Sequence, residues 1–164
     1  MDLEPKKFII DWDKFGRLVD KLSTEILNAY KGQIDTVIGI ARGGIPMSMV
    51  VADRLGAELD FIRVKSYKGI GIKIEPKVVS DICIDLQNKK VLIIDDLSDQ
   101  GDTFNFTINY INKKYKPKKI NTAALFIKPW SKFKPDVYLE SIDKWVVFPW
   151  ELKEFNILEN AGIV

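Results

Sequence analysis

Apolar residues recur at helical spacing near the start of the chain. Trp12, Phe15, Val19, Leu22, Ile26 and Tyr30 fall on one face of a helix that Asp11 can cap and Gly32 can stop. The pattern then changes. Ile34 to Ile40 is a dense apolar run and reads as a buried strand. Pro46 suits the first turn of a second helix, expected to reach about Leu55 before Gly56. Leu59 to Val64 reads as another strand. Ser66 to Pro76 reads as a loop or hairpin carrying Gly69 and Gly71, with Val78 to Ile84 a strand beside it. Val91 to Asp95 predicts a central strand, Thr103 to Tyr115 a helix with Phe104, Ile108 and Ile111 inward, and Ile120 to Ile127 a further buried strand. After Pro129 the chain is irregular and aromatic-rich, with short strands expected at Val137–Leu139 and Trp145–Phe148.

Alternating strands and helices predict an α/β fold, a mainly parallel twisted sheet with helices on both faces. Residues 1–164 are expected to form one domain, with about 129–164 making a small C-terminal hood and tail over the sheet's ligand edge.

Composition narrows the chemistry. The balance of 25 basic against 23 acidic residues makes no general case for nucleic acid. The basic run Lys113, Lys114, Lys116, Lys118 and Lys119 falls at a predicted helix C-terminus, where cations complement the dipole. Cys83 is the single cysteine, which fits a cytoplasmic location. No signal-peptide core or membrane-spanning run stands out, so no membrane partner is expected. Histidine is absent, which excludes His-based triads and proton shuttles. Acid–base work must fall to carboxylates, Lys, Tyr or Cys.

The densest chemical signal is Val91-Leu92-Ile93-Ile94-Asp95-Asp96-Leu97-Ser98-Asp99-Gln100-Gly101-Asp102-Thr103. A buried strand delivers an acidic pair at its C-terminal end, where open α/β sheets place ligands. A glycine-containing turn and a helix N-terminus follow, suited to a phosphate. The acidic pair alone also fits a metal site, a receiver-type phosphorylation site or a solvated turn. The whole run resembles the phosphoribosyl-pyrophosphate (PRPP) motif of the type I phosphoribosyltransferases, with Gln100 where that family usually has Thr.

The resemblance assigns roles residue by residue. It implies that Asp95 and Asp96 hold the ribose hydroxyls, directly or with Mg²⁺ through water. Asp99, Gln100, Gly101, Asp102 and Thr103 would receive the 5′-phosphate, the Asp102 carboxylate pointing away. Asp99 would manage the N7 proton of a purine; its plain alternative is to cap the following helix. Ala41-Arg42-Gly43 resembles the pyrophosphate loop, where members often carry a non-proline cis peptide, expected here at Ala41–Arg42. Ser66-Tyr67 matches the dipeptide of a mobile loop that closes over PRPP.

Lys128, Trp145 and Val146 resemble the base-reading residues of the 6-oxopurine branch. They imply a lysine on O6, an aromatic stacked on the purine, and a backbone contact to the base edge. Phe148-Pro149-Trp150-Glu151 resembles the short bacterial xanthine–guanine enzymes, in which the acid at the position of Glu151 lies near metal and pyrophosphate. The implied activity is purine salvage: PRPP and a free hypoxanthine, guanine or xanthine give the nucleoside 5′-monophosphate and pyrophosphate, with Mg²⁺ as cofactor. A homodimer or homotetramer is expected. A PRPP- or nucleotide-sensing regulator of the same fold, or an enzyme for another base, remains the alternative.

Overall fold

Strand β5, Lys90–Ser98, is the central element of the computed structural model, which describes residues 6–66, 76–151, 153 and 156. Around it lie β2 (Thr36–Ala41), β3 (Glu58–Ser66), β4 (Pro76–Ser80), β6 (Lys119–Ile127) and β7 (Val137–Ser141), in the order β4-β3-β2-β5-β6-β7. All neighbours run parallel except β3 and β4. The C-terminal ends of β2, β5 and β6 therefore open onto one edge.

Both faces are covered. Helices α1 (Trp12–Tyr30) and α2 (Ile45–Leu55) pack with Val37, Leu92, Ile94, Ala123 and Leu125, while Phe104 and Ile111 of α3 (Asp102–Tyr115) pack with Ile38, Ile40, Val91, Ile93 and Ala124. Strand alternation produces the division, successive side chains pointing to opposite faces. The predicted stripe of α1 is buried at Phe15, Val19, Leu22 and Ile26, and the Lys14 amide donates to Asp11 Oδ1 at 2.7 Å as the N-cap. Lys31 and Gly32 end the helix at positive φ.

Several boundaries depart from the pattern-based expectation. β3 continues to Ser66 and pairs antiparallel with β4 as far as Pro76, so both residues belong to the hairpin's strands. β4 ends at Ser80, not Ile84, because Asp81 leaves the ladder to bind α3. Its carboxylate accepts from Tyr110 Oη at 2.5 Å, Tyr115 Oη at 2.7 Å and Lys114 Nζ. The C-terminal segment is not self-contained: β8 (Trp145–Val147) pairs with an unanticipated N-terminal strand, β1 (Lys7–Ile9). Among the described residues no helix is long and apolar enough to cross a membrane.

Candidate active site

The apolar run Val91–Ile94 is fully buried and anchors β5, so the strand carries Asp95 and Asp96 to its half-buried C-terminal end. Asp95 Oδ1 accepts from the Asp96 amide at 2.9 Å. Burial raises both carboxyls above the ordinary range. The charge of Asp96 raises Asp95 further, while that of Glu151 helps push Asp96 up to about 7. Glu151 belongs to the turn after β8, where its Oε2 accepts from the Phe148 amide at 3.2 Å. The fold thus gathers like charges that repel one another, a donor set suited to a hard cation. Among the described residues no cluster of three or more ligand-type side chains is close enough to hold a metal ion alone.

The Ala41-Arg42-Gly43-Gly44 turn lies beside this pair. Its Ala41–Arg42 peptide is cis, at the position expected from the resemblance. The absence of a side chain at Gly43 admits the Asp96 carboxylate, and Gly44 lies against the backbone of Ile40 and Ile94. Gly44 N donates to Ile40 O at 2.8 Å and serves as the N-cap of α2.

The turn after β5 carries the next group. Gly101, at φ 88°, is the N-cap of α3, and a Cβ there would lie 2.6 Å from Phe133. The helix begins at Asp102, which is exposed in its first turn, and has no side-chain cap. Asp99 therefore does not cap the helix. Its Oδ1 instead accepts from Trp130 Nε1 at 2.9 Å. The turn is braced by the segment after β6: Lys128 N donates to Ser98 O at 2.9 Å, Lys132 N to Gln100 O at 3.1 Å, and Ser98 Oγ to Phe133 O at 3.0 Å.

Lys128 is buried at the end of β6. Its ammonium donates to the Lys144 carbonyl and lies 5.3 Å from the centroid of the Trp130 ring. Burial lowers its pKa, opposed by the charges of Asp99 and Asp143. Trp145, next to Lys144, is 46% exposed. Trp145 N donates to Lys6 O and Val147 O accepts from Ile10 N, so both residues turn their backbone toward the N-terminal segment. Alternation along the strand then directs the Val146 N–H and C=O to the other side.

The structure brings Gly43, Asp95, Asp96 and Glu151 together, and Asp99 with Lys128. Ser66 ends β3, and Tyr67 lies outside the described residues. Trp130 was not singled out by sequence reasoning. The available signal was an indole two residues beyond Lys128, but only the fold joins it to Asp99.

An open, mainly parallel sheet with acids, a glycine loop and a lysine at its C-terminal edge defines an α/β protein whose candidate ligand site lies at that edge. The particular kind follows from comparison: the family model for the phosphoribosyl transferase domain matches residues 7–154, and the chain belongs to that family. It is 31% identical over 146 residues to a xanthine-guanine phosphoribosyltransferase of Gluconobacter oxydans, covering 87% of this chain and 83% of that one. It superposes on the crystal structure of a purine phosphoribosyltransferase from Pyrococcus horikoshii with a TM-score of 0.79 and 38% identity, covering 88% and 93% of the two chains. A bifunctional TilS/HprT protein of Listeria monocytogenes is 28% identical over 127 residues, 76% of this chain; the match spans only 19% of that longer protein.

Proposed function

We propose that the chain transfers the 5-phosphoribosyl group of PRPP to N9 of a 6-oxopurine in purine salvage, releasing pyrophosphate. The observation that carries this reading is the position of Asp99 and Lys128 just beyond two adjacent strand ends, an acceptor and a buried donor both against the Trp130 indole. A purine placed there offers O6 to the ammonium and its N7 proton to the carboxylate. Adenine's amino group, itself a donor, is rejected by the lysine.

The other residues take complementary parts. Asp95 and Asp96 accept the ribose hydroxyls. Gln100, Gly101, Asp102 and Thr103 line the 5′-phosphate turn, where backbone N–H groups open α3. Ala41, Arg42 and Gly43 hold the diphosphate. The resemblance gives Ser66 and Tyr67 to a loop that would exclude water from the electron-poor C1′. Trp145 stacks on the base and Val146 contacts its edge. Asp95, Asp96 and Glu151 would help hold Mg²⁺, which when bound supplies Lewis-acid stabilisation of the leaving diphosphate. As N9 bonds to C1′ and the C1′–oxygen bond breaks, the base loses its N7 proton to Asp99.

A cytoplasmic location and a homodimer or homotetramer complete the reading, the oligomer supported by exposed Ile9 at the end of β1 and exposed Trp12 at the start of α1. The test is a panel of hypoxanthine, guanine, xanthine, adenine and uracil, each with PRPP and Mg²⁺. Turnover confined to 6-oxopurines is expected. Turnover of adenine or uracil alone overturns the acceptor assignment, and nucleotide binding without turnover favours a sensor.

A further inference from the structure

Trp130 touches both groups on which the proposed reaction depends. Its Nε1–H donates to Asp99 Oδ1 at 2.9 Å, and its ring centroid lies 5.3 Å from Lys128 Nζ. The indole is 50% exposed, so packing gives a weak reason for its presence. Nor does the turn need it. Ser131 N donates to Lys128 O at 3.0 Å, Lys132 N reaches Gln100 O at 3.1 Å, and Ser131 Oγ bonds Phe133 O at 2.9 Å, all independently of the indole.

We propose that Trp130 is a positioning residue for Asp99, and through its ring for Lys128. An aspartate on an exposed turn can rotate about both side-chain torsions, and proton transfer needs one oxygen within about 3 Å of the base nitrogen. A donor fixed on Oδ1 removes that freedom and leaves Oδ2 to face the purine. The same ring presents its negative face to the Lys128 ammonium, which also donates to the Lys144 carbonyl. One side chain thus sets the spacing between the proton acceptor and the O6 donor. This inference rests on the purine-transfer reading above.

Three variants test it, after wild-type turnover of a 6-oxopurine has been established. Trp130→Phe keeps a ring over Lys128 and deletes the N–H. It is expected to lower kcat about tenfold, with the KM for PRPP changed less than about twofold, because only proton handling suffers. Trp130→Leu removes the ring as well and should in addition raise the KM for the base. In an Asp99→Asn background, Trp130→Phe should change kcat by less than about twofold, since the indole acts through that carboxylate.

Wild-type kcat in Trp130→Phe, or losses at Trp130 and Asp99 that multiply, would overturn the positioning role while leaving the transferase reading intact. A wild-type chain with no turnover of any purine would remove both. Trp130→Phe is expected to melt with the wild type, separating this effect from a general loss of fold.

Discussion

A Cβ added to Gly43 would lie 2.1 Å from Asp96 Oδ2, so the glycine turn after β2 and the acid pair of β5 occupy one another's space. The obstructing atoms belong to a side chain that can swing aside. Gly43→Ala should therefore fold with a melting temperature near wild type but displace Asp96, lowering kcat/KM for PRPP by about 30-fold or more. At Gly44 the obstructing atoms are backbone, with Ile94 O 2.4 Å and Ile40 O 2.7 Å from a built Cβ. Gly44→Ala is expected to destabilise the fold itself, by about 2–3 kcal/mol. Paired denaturation and kinetic measurements separate the two outcomes.

Asp99 makes no capping bond, so removing its charge should spare the helix. Asp99→Asn is expected to reduce kcat by about 100-fold while PRPP binding by calorimetry stays within about twofold. Equal losses in both would contradict its acid–base role.

Lys128→Met keeps the aliphatic stem and deletes the donor. It should raise the KM for a 6-oxopurine about tenfold or more, with PRPP affinity little changed, as steady-state kinetics would show.

Burial and the charge of Glu151 raise Asp96 to about 7, and burial and Asp96 raise Asp95. A carboxyl whose folded pKa lies above its unfolded value of 3.8 favours the fold at low pH, and that contribution is lost as pH rises through the folded pKa. Without divalent cation, stability should fall between about pH 4 and 7 through Asp96, with Asp95 acting in the same direction. Glu151→Gln should soften that fall and raise stability at pH 7 by about 1 kcal/mol. It should also weaken Mg²⁺-dependent PRPP binding. Melting curves from pH 4 to 8 and titration calorimetry measure the two effects.

Asp81 behaves in the opposite sense. Burial alone would raise it, but the Lys114 ammonium, the Tyr110 and Tyr115 hydroxyls and the Ile82 amide bring it down to about 2. A depressed carboxyl contributes fully above its unfolded pKa, and the contribution is lost as pH falls from about 4 toward 2. Lys114 is half-exposed, so solvent screens much of the ion pair. Asp81→Asn should cost about 1–3 kcal/mol, chiefly through the tyrosine hydrogen bonds, and flatten the acid limb of a stability–pH curve.

The sequence by itself determined the local elements and the catalogue of chemistry. The stripe of α1 with Asp11 as its cap, the buried run of β5, and the acids and glycines that follow it are encoded within a few residues of one another. Periodicity and turn chemistry act over that range. The match of the PRPP run placed the chain in its family for the same reason. Tertiary structure alone decided which distant pieces complete the site. Lys7–Ile9 is too short to announce a strand, and forms one because β8, far along the chain, supplies its ladder. Glu151 reaches Asp96 electrostatically, and Trp130 binds Asp99, across separations of 55 and 31 positions in the sequence. β4 stops at Ser80 because Asp81 finds Lys114 and two tyrosines on α3. Such contacts follow from how the sheet and its helices pack, and no local pattern carries that information.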